Sequence, residues 1–317
     1  MKKVLCIGSV TTDVIIKPVD ALPTPGELQF IDSSSMFVGG CASNASIDLA
    51  KLGVPVSLCV KLGKDLFGHF VYDTCKEAGV DVRGCVMDES VQTTTSIVCV
   101  NSDGERSFLY NGGSTSAMTD KDISDELIAD ADIVFLAGAL LTHGLDGEPA
   151  AKMFAKAQSM GKFTVMDTAW DPTGRWMKGV EAALPHLDLF MPSIEEAQKI
   201  AGKEDFDDIA DVFFAKGVKN VIIKAGKKGA YIREGGKKGY FAPTYLSIKP
   251  TDTTGAGDSF CAGFLAGLAQ DFDFEKSAKL GNAVGTHCVM ELGASTGIKP
   301  LAEIYKFMEE HTDEVAL

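Results

Sequence analysis

The order of elements along this 317-residue sequence predicts an α/β fold: a mostly parallel sheet flanked by helices, with a small β-sheet lid. Three observations carry the prediction. Short apolar, β-branched runs alternate with helix-period segments through most of the chain. Two stretches rich in polar or β-forming residues, 11–38 and 86–113, break that alternation. From Tyr240 onward the pattern is mainly helical.

Taken in order, residues 4–10 read as a buried strand and 42–52 as a helix that Gly53 stops. Residues 54–60 are a strand, and Leu66–Glu77 is a helix stopped by Gly79. A strand at 132–137, a helix at Glu148–Ser159, strands at 163–167 and 187–191, a helix at 195–201 and a strand at 219–225 continue the series. The stretch 11–38 is long, polar and extended in character. The stretch 86–113 holds QTTTSIVCV and ERSFLY, joined by the turn sequence Asn101-Ser102-Asp103-Gly104. Both read as antiparallel strands inserted into the α/β core. This divides the chain into a large domain of residues 1–12, 39–85 and 114–317, and a lid of residues 13–38 and 86–113. Helices at 258–269, 275–292 and Leu301–Glu310 close the chain.

Composition narrows the class. The length fits about two domains, or one large domain with an appendage. Hydrophobic residues make up 45% and charged residues 23%, globular values that exclude a disordered or fibrous chain. A formal net charge of −14 argues against non-specific nucleic-acid binding. The longest apolar run, 260–269, has ten residues, whereas a membrane span needs about 18. The opening MKKVLCIGSVTTD is too short in apolar character for a signal peptide. Cysteines at 6, 41, 59, 75, 85, 99, 261 and 288 show no metal or redox spacing, so reduced thiols in a cytoplasm are expected. The five histidines form no ligand or triad spacing, and Trp170 and Trp176 flank a turn, with packing as their expected role.

The segment with the most chemistry is Thr251-Asp252-Thr253-Thr254-Gly255-Ala256-Gly257-Asp258, which runs straight into a helix. A Gly-Ala-Gly turn at a helix start leaves amides pointing outward, and the positive helix end adds to their attraction for a phosphoryl group. Asp258 there is placed to take a proton from a hydroxyl beside the anion. A tight turn with an ordinary first-turn Asp is the plain alternative. The absence of a Gly-x-x-x-x-Gly-Lys-Ser/Thr run excludes a P-loop. Earlier, Val38-Gly39-Gly40-Cys41-Ala42-Ser43-Asn44 pairs two glycines, which permit close backbone approach, with an amide suited to hydroxyls. A glycine-rich strand-to-helix turn is the alternative there.

Together these two segments resemble the two signatures of the ribokinase-like (PfkB) carbohydrate kinases. Gly8-x-x-x-x-Asp13, Gly63-x-Asp65-x-Phe67-Gly68, the inserted β pieces and Asn282 follow in the order of that family across nearly the whole chain. The resemblance implies a Rossmann-like domain whose lid covers a sugar or nucleoside, and transfer of the ATP γ-phosphoryl to a substrate hydroxyl. It implies Asp258 as general base and the backbone of Gly255, Ala256 and Gly257 as anion hole. Asp13, Gly39, Gly40 and Asn44 would bind substrate hydroxyls. Lys224 and Gly226, ending VIIKAG, would lie beside the nucleotide, and Asn282 near its adenine. A solvated lysine and a polar helix face are the alternatives.

The family's Asn-x-x-Glu is Ser193-x-x-Glu196 here, a departure at the first position. The resemblance gives Glu196 a role in organising Mg²⁺ through water and Ser193 a weaker nucleotide role, while Ser-x-x-Glu before a helix is also a capping box. Many relatives bind K⁺ beside the anion hole, mainly through carbonyls, which here would fall at Asp252, Thr254 and the loop 291–296 that includes Gly293. Cys41 stands where some relatives carry Lys, leaving the substrate open. Arg106, in the lid, reads either as a contact for a substrate phosphate or carboxylate or as a solvent-facing strand residue.

The expected activity is therefore ATP-dependent phosphorylation of a small ribose- or fructose-like sugar. A nucleoside or keto-sugar-acid kinase and a non-catalytic sensor are the alternatives. A dehydrogenase is disfavoured, because Gly8-Ser9-Val10-Thr11-Thr12-Asp13 lacks the dinucleotide-binding spacing. The lid's exposed β face leads to the expectation of a homodimer through it.

Overall fold

The first strand, β1 (Val4–Gly8), is buried at every position. Its residues alternate between two cores: Val4 and Cys6 pack on one side, Leu5 and Ile7 on the other. That is the signature of a strand covered on both faces. The structure, a computed structural model, describes residues 1–314.

The remaining strands in chain order are β2 (Thr11–Lys17), β3 (Ser33–Gly39), β4 (Val56–Cys59), β5 (Lys61–Gly63), β6 (Val86–Asp88), β7 (Thr95–Val100) and β8 (Arg106–Asn111). They continue with β9 (Ile133–Ala139), β10 (Phe163–Thr168), β11 (Leu189–Phe190), β12 (Asn220–Lys224), β13 (Ala230–Glu234) and β14 (Tyr240–Ala242). Eight form the main sheet in the order β14-β13-β12-β11-β10-β9-β1-β4. Pairing is parallel from β4 through β12, and the β12–β13–β14 edge is antiparallel. From β1 the chain moves one way to β4 and later the other way to β9. The strand order therefore reverses between β1 and β9, where open α/β sheets part at their carboxyl ends to admit ligands.

Helices Cys41–Lys51, Ala256–Ala269 and Phe274–Val289 contribute to one core layer, around Leu58, Phe135 and Phe264. Helices Glu148–Ser159, Ile194–Ala201 and Phe206–Ala215 contribute to the other, around Ile7, Phe154, Phe190 and Phe213.

The lid is a separate four-stranded sheet, β3-β2-β7-β8. Three details depart from the sequence reading. The lid sheet begins at Thr11, inside the stretch assigned to the large domain. Val86–Asp88 is not in it: β6 pairs with β5 in a small parallel sheet. The lid pairings are not all antiparallel, because β2 and β7, the inner strands of two adjacent hairpins, run in parallel. At the other end, Tyr240–Ala242 is a strand, and helix resumes only at Ala256. Three residues carry no readable period.

Phe135 lies fully buried at the centre of β9. Phe135→Ala is expected to lower unfolding free energy by about 3–5 kcal/mol, read as a shift in the denaturant midpoint. A shift equivalent to less than about 1 kcal/mol would contradict this placement.

Candidate active site

Two helices open at the same point. Helix Cys41–Lys51 starts after Gly40, and helix Ala256–Ala269 starts after Gly255. Their first turns are joined by Asn44 Nδ2, which donates to Asp258 Oδ2 at 2.8 Å. Gly255 has φ +78°, and a Cβ there would come within 2.7 Å of Ala294 Cα, so the turn admits only glycine. The Ala256 amide turns back to the Thr253 carbonyl at 3.3 Å. The amides of Gly255, Gly257 and Asp258 make no hydrogen bond among the described residues. Of the three amides expected to hold an anion, those of Gly255 and Gly257 are thus open, and Asp258 supplies a further one.

On the lid side, Asp13 of β2 reaches over Gly39: a Cβ on Gly39 would come within 2.9 Å of Asp13 Cγ. Burial pushes the Asp13 carboxyl up to about 6. Cys41 follows Gly40 at the helix start, and its amide donates to Ser9 Oγ at 2.9 Å. Burial, with Asp258 and Asp167 nearby, holds its thiol well above the usual range. A thiol kept protonated is a poor nucleophile, so its placement brings little of the reactivity that a pocket-facing cysteine suggests.

Lys224 ends β12, and its Nζ lies 2.6 Å from Asp167 Oδ1 in a buried pair. Burial opposes its charge, but Asp167, with Cys261 and Glu196 nearby, more than offsets this and holds the lysine protonated. A Cβ built on Gly257 would lie 3.5 Å from this Nζ, so a fixed positive charge stands beside the open amides. Lys224 is therefore not the solvated strand-end residue of the plainer reading. Asp167 was missed in the sequence. Its signal was its position, near the carboxyl end of a parallel strand.

Ser193 and Glu196 form the capping box: the Glu196 amide donates to Ser193 Oγ, and the Ser193 amide donates to Glu196 Oε2 at 3.1 Å. Thr168 Oγ1 also donates to Oε2, at 2.9 Å. Both bonds fall on Oε2, so Oε1 remains to meet a hydrated cation. No group of three or more His, Cys, Asp or Glu side chains that could hold a metal occurs among the described residues.

The Asp252 side chain, in the stretch expected to hold K⁺, is engaged within the protein. Asp252 Oδ1 accepts from the Thr254 amide (3.0 Å), Thr254 Oγ1 (2.8 Å) and Arg106 Nη2 (3.1 Å), and Oδ2 accepts from the Gly293 amide (3.1 Å). Three bonds crowd Oδ1, while Oδ2 takes one. The Thr254 and Ala294 carbonyls both face the Cys288 thiol, at 3.3 and 3.2 Å.

A cleft of about 700 Å³ runs from Lys224 and Gly257 past Gly226 to Asn282, Val289 and Ile248. It has polar groups at the helix start and apolar walls farther out, which fits a nucleotide with its phosphates at the Gly257 end. Asn282 lines the cleft, but its Nδ2 donates to the Ala242 and Pro243 carbonyls at 2.9 Å each, so the amide also ties β14 to the helix. Trp170 and Trp176 pack edge to face at 5.0 Å and do not line the cleft. His287 is buried against Phe307, as expected of a structural histidine.

The family model for pfkB family carbohydrate kinase matches residues 1–300. Staphylococcus aureus ribokinase is 26% identical, across 95% of this chain and 98% of its own. The ATP-dependent ribose-1-phosphate kinase of Halopiger xanaduensis is 29% identical, across 99% of this chain and 100% of its own. The structure of Arabidopsis thaliana ribokinase complexed with ribose and ATP superposes with a TM-score of 0.85 at 23% identity, covering 97% of this chain and 99% of that one, and shows the shared fold. This chain belongs to the pfkB family and is an ATP-dependent carbohydrate kinase.

Asp13 generates a pH prediction. Its carboxylate is charged above about pH 6 and takes up a proton as pH falls through that value. If the charged form accepts substrate hydroxyls, KM for the sugar should rise about tenfold per pH unit below the pKa. Asp13→Asn should remove that dependence. A KM flat from about pH 7.5 to 5 would contradict the assignment.

Proposed function

We propose that the chain phosphorylates one hydroxyl of a small ribose- or fructose-like sugar. The observation that carries this reading is the Asp258 carboxylate, fixed by Asn44 next to open helix-start amides and the charge of Lys224. In this reading Asp258 takes the proton from the attacking hydroxyl. Asp13, Asn44 and the backbone of Gly39 and Gly40 orient the sugar. The Gly255, Gly257 and Asp258 amides, with Lys224, offset the negative charge of the phosphoryl in flight, which is where phosphoryl transfer gains most of its rate. ATP supplies the phosphoryl when bound in the cleft beside Gly226 and Asn282. Glu196, through water, would hold Mg²⁺ against the phosphates, with Ser193 fixing the Glu196 side chain.

Although one relative is a ribose-1-phosphate kinase, the ribokinase relatives support a free sugar as substrate. So does Arg106, whose guanidinium is committed to Asp252 and Thr254 rather than free to meet a substrate phosphate or carboxylate. A sensor without catalysis would have no use for the base. Exposed Met36, Phe37 and Phe108 on the lid fit a second copy docking there, and the eight unpaired cysteines fit a reducing cytoplasm. A dimer would sediment at twice the 33.6 kDa chain mass.

The test is ADP release from Mg-ATP across sugars, sugar phosphates, keto-sugar acids and nucleosides. A pentose or hexose should give the strongest response, and a nucleoside or acid giving it would overturn the substrate class. With the active sugar, Asp258→Asn should lower kcat by about 10²–10⁴ while ATP binding persists. Near-normal turnover in that variant would overturn the role of Asp258.

A further inference from the structure

The lid carries one long charged side chain into the main domain. Arg106, the first residue of β8, donates from Nη1 to Thr254 Oγ1 at 2.7 Å and from Nη2 to Asp252 Oδ1 at 3.1 Å. It joins the lid sheet to the loop before helix Ala256–Ala269, with Asp252 146 residues away in sequence. Asp252 is almost sealed from solvent, with 7% of its side chain exposed, so its charge needs a partner inside the protein. Thr254 directly precedes Gly255, where the open helix start begins.

We infer that Arg106 is a lid-borne clasp that supplies the counter-charge at Asp252, in place of a bound monovalent cation, so that closing the lid and fixing the anion-binding helix start are one event. The inference rests on the proposed role of Gly255 and Gly257 in holding the transferred phosphoryl.

Three features support it. The Asp252 carboxylate already takes four donors from within the protein, three on Oδ1 and one on Oδ2, and Arg106 is the only charged one among them. The Thr254 and Ala294 carbonyls both face the Cys288 thiol, whose single proton can serve one of them at a time. A guanidinium keeps its charge at every physiological pH and presents its donors as a fork, which suits a carboxylate and a hydroxyl lying side by side. A cation diffusing in solution would neutralise Asp252 whether the lid was open or closed. Arg106 does so only when β8 lies over the site. The loop 252–255 is therefore held in its anion-binding form only while substrate is covered, which protects ATP from water. Arg106 is a positioning residue: it acts through Asp252 and Thr254.

The experiment has two arms. In the first, the intact protein is melted in KCl, NaCl and tetramethylammonium chloride at one ionic strength, and turnover of the active sugar is measured in the same salts. Equal melting temperatures and rates are expected, because an ion that bound the folded chain would stabilise it. Selective stabilisation or activation by K⁺ would overturn the inference. In the second arm, Arg106→Met should lower kcat by about tenfold to a hundredfold while KM for ATP changes little, and Arg106→Lys should recover part of the loss. Lid strands in Arg106→Met should also stay sensitive to protease when the sugar and a non-hydrolysable ATP analogue are both present. Unchanged kcat in Arg106→Met would overturn the clasp. If Arg106→Met does not fold, the salt arm and Arg106→Lys decide: Lys keeps the charge but loses the fork, so a kcat equal to wild type would overturn it. An inactive Asp258→Asn beside a fully active Arg106→Met would refute this inference and leave the proposed function standing. An active Asp258→Asn would refute the proposed function instead.

Discussion

The hydrogen bond from Asn44 to Asp258 ties together the starts of two helices that are 214 residues apart in sequence. Everything at the site follows from that convergence. A second tie lies one turn deeper, where Ser259 Oγ donates to Asp48 Oδ2 at 2.6 Å. Asp48 is fully buried, and burial pushes its carboxyl up to about 7 despite the bonds it accepts. The two ties hold the helices in register, so the Asp258 carboxylate and the open amides keep a fixed relation. Fixed donors need no reorganisation when charge develops, and that is why preorganised amides at a helix start are effective.

The sheet determines where the helices meet. Because strand order reverses beside β1, the chain leaving Gly8 passes directly into the lid at Thr11 and returns through Gly39 to the first of the two helices. Asp13, Gly39 and Asn44 are thus delivered by one short excursion. Lys224 and Thr168 arrive separately, at the carboxyl ends of β12 and β10, and bring the buried charge pair and the Glu196 contact. The lid contributes from above through Asp13 and Arg106. A site assembled this way has the main sheet and its helices as a floor and the separate lid sheet as a roof.

Much of this was legible in the sequence. Leu66–Glu77 and Glu148–Ser159 were readable to the residue, since long amphipathic runs ending in glycine leave few choices. The Gly-Ala-Gly-Asp turn and the Gly-Gly pair carried their chemistry in residue type and spacing. What stayed hidden depended on distant partners. Val86–Asp88 and Tyr240–Ala242 are short strands defined by what they pair with. Asp167 gains meaning only beside Lys224, and Arg106 only beside Asp252. Ser193 and Glu196 could be read as a cap or as a metal contact. The cap is formed, and Oε1 is still free for the second role.

The most direct test of the account is a double-mutant cycle between Asn44 and Asp258, read as kcat at saturating sugar, so that any contact of Asn44 with the sugar itself stays in KM. If Asn44 acts by fixing the Asp258 carboxylate, Asn44→Ala should be slow on its own, yet the double variant with Asp258→Asn should be no slower than Asp258→Asn alone. Losses that multiply independently would show that the two side chains serve separate tasks, and would contradict the convergence on which the site is built.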